Sequence, residues 1–317
     1  MRWKDIQWRL AYAALKLSAL PLAIMPVRPA ARCGRALGGL LYRLLGKWRQ
    51  AGLETLTDML PALRLDPNWT GGDATPDRIV RELFGNIGIM LAEISRLYFG
   101  NYAPLMDAVE IRGLEHYQAA SARGHGIIFV TAHSGNWELM AATFGARHQP
   151  VAVVARAMPL DAINRLLEKI RYRHGNSVIY RENGVKGMLT VLKENGIVGI
   201  LPDQVVKPPH GIPADFLGRP AWTSTMPVKL ALKTGAAILP IFAHRAEERT
   251  VITIYPALEL PTAGSEDDRI MAGTVLMNRA IGEHIVRYPA QWNWLYRRWK
   301  GEKKIRAWLA ERAERTA

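Results

Sequence analysis

The stretch Gly126-Ile127-Ile128-Phe129-Val130-Thr131-Ala132-His133-Ser134-Gly135-Asn136-Trp137-Glu138 decides how the rest of the chain is read. Residues 126–131 carry no charge and are dominated by β-branched and aromatic side chains, the pattern of a strand buried on both faces. His133 follows directly, then small or turn-forming residues, then a carboxylate. Gly135 permits a tight turn, and Ser134 or Asn136 can cap the helix that begins beyond it. On one continuous helix, His133 and Glu138 would lie about 140° apart. A strand–turn–helix connection removes that difficulty and sets His133 at the crevice edge where open α/β sheets bind ligands. Free N–H groups at the helix start also favour negative charge there.

Working outward, short apolar runs recur at 151–155 (VAVVA), 177–180 (SVIY), 197–201 (IVGIL), 237–242 (AILPIF) and 251–254 (VITI). Helical stretches lie between most of them, at 138–145, 160–172, 185–194 and 227–234. This alternation predicts an α/β fold: a central mixed, largely parallel sheet with helices on both faces. Helices precede it. Residues 29–59 have helical spacing throughout, residues 64–77 are rich in Pro, Gly and Asp, and Thr75-Pro76-Asp77 opens a helix running to about Tyr98. No linker divides the body, so residues 29–317 read as a single domain behind a hydrophobic segment at 1–28.

The net charge of +14 is concentrated at the ends. Residues 1–50 hold ten Lys/Arg against Asp5 alone, and residues 296–317 hold eight against three glutamates, while the body between is neutral. A nucleic-acid enzyme places basic residues along its working groove, so this distribution argues against nucleic acid and for an anionic membrane surface. Leu10–Val27 is the one candidate membrane segment, interrupted by Lys16 and Pro21. It reads either as a spanning anchor oriented by the basic flank or as an interfacial helix edged by Trp3 and Trp8. Either keeps the body on the cytoplasmic face. The single cysteine, Cys33, excludes an internal disulfide and a Cys-rich metal site.

Spacing alone does not single out His133…Glu138. Composition predicts about one His-x4-acid pair by chance, and the chain has two, the other being His210…Asp215. The second lies in the proline-rich run Lys207–Pro213 with no strand entering it. His133…Glu138 is therefore the candidate general base and its carboxylate partner, able to turn an alcohol into a nucleophile. No G-x-S-x-G elbow is present to support a serine hydrolase.

These residues resemble the bacterial lipid A biosynthesis acyltransferase family, within the wider lysophospholipid and glycerolipid acyltransferases that share an H-x4-D/E motif. The resemblance continues at Val154-Ala155-Arg156, Leu201-Pro202-Asp203-Gln204, Phe216-Leu217-Gly218-Arg219-Pro220, Leu230–Ala236 with Leu239-Pro240-Ile241, and Tyr288–Trp294. It implies transfer of a fatty acyl chain from an acyl-carrier-protein or coenzyme A thioester to a hydroxyl of a membrane glycolipid, most closely a lipid A precursor. It implies no metal or other cofactor, and a place at the bacterial inner membrane. On this resemblance His133 is the base and Glu138 the acid holding its ring. Arg156, Arg171 and Arg181 are basic positions facing phosphate or the oxyanion, and Asp203 and Gln204 line the site. Other acceptors, such as mannosylated phosphatidylinositol or a lysophospholipid, stay open, as does a non-catalytic lipid-binding role.

Overall fold

A computed structural model describes residue 13 and residues 16–180, 184–247 and 249–316. The expected α/β architecture is present. A seven-stranded sheet has the order β1-β9-β8-β2-β5-β3-β4. Its strands are β1 (Glu110–Arg112), β2 (Ile127–Val130), β3 (Val151–Ala155), β4 (Ser177–Tyr180), β5 (Ile197–Ile200), β8 (Ala237–Ala246) and β9 (Arg249–Ile254). Every neighbouring pair is parallel except β8–β9, which makes the sheet mixed. β6 (Gly211–Phe216) and β7 (Arg219–Ser224) form a separate antiparallel hairpin. Its turn is Leu217-Gly218, so the family block at 216–220 is the tip of a ribbon.

Alternation along the central strands builds two cores, because successive side chains point to opposite faces. Ile128, Val130, Val198, Ile200, Ile238 and Phe242 pack on one face with Met188 and Leu192 of α8 (Gly184–Lys193). The same core takes Val228 and Leu230 of α9 (Met226–Thr234) and Met277, Ile281 and Ile285 of α10 (Glu266–Arg287). Ile127, Phe129, Ile197, Leu239 and Ile241 pack on the other face against Leu139, Met140 and Phe144 of α6 (Trp137–Arg147) and Ile170 of α7 (Asp161–Arg173). Two short helices, α4 (Ala103–Asp107) and α5 (Leu114–Ser121), flank β1. A long α11 (Glu302–Thr316) follows at the C-terminus.

The N-terminal helical run is broken once. It consists of α1 (Val27–Leu44) and α2 (Gly46–Leu63), with Leu45 at φ −93°, ψ 57° between them. α3 (Pro76–Phe99) starts as its sequence predicts: Thr75 Oγ1 accepts the Arg78 N–H and Pro76 occupies the first turn. It ends at Gly100 in the left-handed region. α1 crosses α3 through glycines, at a separation no side chain would allow. A Cβ on Gly38 would lie 2.1 Å from the Phe84 carbonyl oxygen, and one on Gly88 1.9 Å from that of Gly34.

A helix over residues 16–24 precedes α1, and residues 10–12, 14 and 15 of the candidate membrane segment lie outside the described residues. Among the described residues, no helix is long and apolar enough to cross a membrane. Buried Arg96 and exposed Asn101 hold the end of this helix by donating to the Ala23 carbonyl, Arg96 donating to that of Met25 as well. Leu17, Leu20 and Ile24 remain exposed on its outer side.

The close crossing gives a direct test. Gly88→Ala forces α1 off α3 and should cost about 2 kcal/mol, the middle of the overpacking range. In thermal unfolding that lowers Tm by about 3 °C. Gly39→Ala on the same helix meets nothing within 4 Å and should leave Tm unchanged or raise it.

Candidate active site

β2 ends at Val130, and the backbone leaves the sheet between β5 and β8, the interior position flanked on both sides. Gly135 sits at φ +59°, and a Cβ there would meet the Ala243 carbonyl oxygen at 2.3 Å, so the turn accepts only glycine. Asn136 caps α6, its Oδ1 accepting the Leu139 N–H at 3.0 Å. Its Nδ2 donates to Glu93 Oε2 of α3 at 2.8 Å, and Glu93 Oε1 pairs with Arg245 Nη2 at 2.6 Å. Gln291 brackets Arg245 by accepting its N–H and donating to its carbonyl. The C-terminal segment closes the other side: Gly135 N–H donates to the Gln291 carbonyl and Asn293 N–H to that of His133, each at 3.0 Å. Behind the turn, Ser134 Oγ lies 3.0 Å from Nε2 of His284, a fully buried ring stacked on Phe242. Burial pulls His284 down to about 3, so it stays neutral.

The carboxylate on His133 belongs to Asp203, not Glu138. Asp203 Oδ1 lies 2.7 Å from His133 Nδ1, while Oδ2 accepts the His133 backbone N–H at 2.8 Å and the Trp292 indole N–H at 2.9 Å. Parallel pairing is the reason. Ile200 on β5 lies opposite Val130 on β2, so the residues leaving these two strands emerge side by side. Glu138 turns instead to Arg171 of α7 in a two-pronged pair, Nε–Oε2 3.0 Å and Nη2–Oε1 2.6 Å, with both residues buried. The expectation that Glu138 holds the imidazole is thus corrected. Glu138, on the first turn of α6, is taken up by a full guanidinium, while Asp203 occupies Nδ1 of the ring.

Burial pulls His133 down, but the charge of Asp203, its hydrogen bond and a smaller contribution from Glu138 outweigh this, so its pKa is raised above 6.5. Burial pushes Asp203 up, yet His133's charge and hydrogen bonds and the Trp292 N–H hold it below the ordinary carboxylate range. An ionised Asp203 only accepts, so Nδ1 carries the proton and Nε2 presents its lone pair outward. Gln204 Nε2 is the neighbour of that lone pair, at 3.4 Å. Trp137 packs edge-on against the ring at 5.1 Å.

Of the other predicted residues, Arg156 is exposed just past the end of β3, two strands away on the same sheet edge. Arg181 lies outside the described residues. His210 and Asp215 are exposed, one before and one on β6. Among the described residues, no group of three or more His, Cys, Asp or Glu is arranged to hold a metal ion. Glu93 and Arg245 escaped sequence reasoning, since neither belongs to a motif, and Gln291 entered it only as part of the block Tyr288–Trp294, with no role of its own. An apolar pocket lies beneath α6, lined among others by Thr131, Trp137, Phe144, Val151 and Gly199.

A histidine beside an apolar pocket, with a buried acid behind its ring, is an arrangement suited to activating a hydroxyl next to a hydrocarbon group. The family model for bacterial lipid A biosynthesis acyltransferases matches residues 10–301. The chain is similar to the phosphatidylinositol mannoside acyltransferase of Mycobacterium tuberculosis, 28% identical over 232 residues, covering 71% of this chain and 72% of the relative. It is equally similar to the lipid A biosynthesis lauroyltransferase of Escherichia coli, 28% identical over 225 residues (70% and 72%). A third relative, the lipid A biosynthesis acyltransferase of Haemophilus influenzae, is 22% identical over 233 residues (72% and 70%). The chain belongs to the bacterial lipid A biosynthesis acyltransferase family, and it is an O-acyltransferase.

The histidine–aspartate pair is open to titration. His133's raised value means that its imidazolium stabilises the fold fully below about pH 6.5, and that this contribution is lost as pH rises through the raised value. Asp203 contributes above about pH 3.9, and its contribution is lost as pH falls. By NMR titration, Asp203→Asn should lower the His133 pKa to below 6.5, because burial then acts almost unopposed, whereas Glu138→Gln should lower it only slightly. Equal shifts in the two variants would contradict the assignment of Asp203 as the ring's partner.

Proposed function

We propose that this enzyme moves a fatty acyl chain from an acyl-carrier-protein or coenzyme A thioester to a hydroxyl of a membrane glycolipid, with a lipid A precursor as acceptor. The observation that carries this reading is the Asp203–His133 pair beside the apolar pocket. His133 Nε2 takes the proton of the acceptor hydroxyl as its oxygen attacks the thioester carbonyl. Asp203 holds the ring in that tautomer and stabilises the imidazolium that forms. Gln204 Nε2 is placed to donate to the developing oxyanion. The tetrahedral adduct then expels the thiolate, which takes the proton from His133, and no acyl-enzyme is needed. Glu138 and Arg171 act as a unit, fixing the first turn of α6 over the pocket mouth and adding to the field at His133. Arg156 and Arg181 meet the phosphates of donor or acceptor.

A location on the cytoplasmic face of the bacterial inner membrane agrees with the outer side of the N-terminal helices. Leu40, Leu44 and Trp48 are exposed there, interleaved with exposed Arg43 and Lys47. Apolar side chains among basic ones suit an anionic headgroup layer. A second acceptor, a mannosylated phosphatidylinositol, is favoured by the mycobacterial relatives, which match this chain as well as those named for lipid A.

Purified enzyme given both acceptors and mixed thioester donors, with products read by mass spectrometry, tests the reading. Acylation of the mannolipid alone would replace the lipid A assignment. His133→Ala should lower kcat by about 10²- to 10⁴-fold. Because the base works when neutral, kcat/KM should rise with pH through the raised His133 value. In Asp203→Asn this limb should move to lower pH while the plateau falls.

A further inference from the structure

We infer that Gly199, in the middle of β5, sets the length of the acyl chain that the enzyme transfers; this rests on the acyl-transfer reading above. The pocket lies between α6 and one face of the sheet. On that face the residues form rows across the strands. Thr131, Leu201 and Ile241 make the row at the site, Phe129, Gly199 and Val153 the next, and Val151 with its partner Ile197 the third. Gly199 is flanked directly by Phe129 on β2 and Val153 on β3. In the middle row, large side chains therefore stand on either side of a position that has none.

The space above Gly199 belongs to the pocket. A Cβ built there meets only Val151 Cγ1 within 4 Å among the described residues, at 3.0 Å. An alanine is accommodated if Val151 gives by a few tenths of an ångström. From the row of Leu201 to that of Ile197 is four residues, or about 13 Å of strand. A chain entering beside Trp137 and descending under α6 crosses Gly199 about halfway down. A side chain at this position closes the lower half of the pocket and leaves the upper half intact. Ala141 of α6 lines the same pocket from above, so a larger residue there narrows it without touching the sheet.

Length selection follows from apolar burial. Each methylene excluded from the pocket costs about fourfold in transition-state binding, the equivalent of its transfer free energy. Short chains that end above Gly199 lose nothing.

The test is competition among thioester donors of ten to eighteen carbons, with acylated lipid quantified by mass spectrometry, for the wild type, Gly199→Ala and Ala141→Leu. Both variants should transfer the shortest donors at rates within about threefold of wild type and discriminate against the longest by a further tenfold or more. Circular dichroism and the short-donor rate show which variant is folded. A folded variant of either kind with the wild-type chain-length profile overturns the inference while leaving acyl transfer standing. A wild-type enzyme that transfers no chain from any donor would instead overturn the proposed function itself.

Discussion

The site depends on one buried carboxylate. Asp203 is 2% exposed, and a lone ionised carboxylate at that depth would cost several kcal/mol. It is tolerated because three donors converge on it: the backbone N–H and ring of His133, and the indole of Trp292. These come from the β2 exit and from the C-terminal segment, so the charge cannot be satisfied unless both are in place. The same bonds that compensate the burial orient the imidazole. Arg298 adds a buried positive charge whose field reaches Asp203, and burial draws its own pKa down to about 10. It donates to Trp222 O and Thr223 Oγ1 of the β6–β7 hairpin, which ties the hairpin to this region.

Around that carboxylate the fold is a set of supports of graded stiffness. β2 and β5 are buried on both faces and place His133 and Asp203 within hydrogen-bond reach. The turn after β2 is then held from outside the sheet by Glu93, which reaches it from α3 and is paired with Arg245. α3 is the helix against which α1 lies through its glycines, and it also holds the helix over 16–24 through Arg96. The surface proposed to meet lipid is therefore joined to the His133 turn by two helices and the Asn136–Glu93 hydrogen bond.

Much of this was legible in the residues. Six apolar runs alternating with helical spacing determine an α/β sheet covered on both faces, and each of those runs is a strand. The H-S-G-N turn after a buried strand identified His133. Three features were hidden for physical reasons. Asp203 lies 70 residues from His133, and only the parallel pairing of β2 with β5 makes them neighbours, so the nearer Glu138 took its place in the reading. The hairpin at 211–224 contains Pro213 and Pro220, which argue against a strand by propensity and are tolerated because this ribbon is only two strands wide. The break at Leu45 leaves helical spacing intact on both sides, so periodicity ran through it. Arg181 falls outside the described residues, and Arg156 is exposed just past the end of β3.

The bonds from Gln291, Trp292 and Asn293 to the His133 turn also bear on how the protein comes into being. The chain is made from its N-terminus, and β2 is synthesised well before residues 288–294. At that stage the sheet's central strands have partners arriving in order, but the turn bearing the base lacks the segment that closes it. Only when residues 288–294 have left the ribosome and packed against β8 does Asp203 receive its third donor. A nascent chain that still lacks residues 288–294 thus carries a His133 turn whose supporting bonds are incomplete.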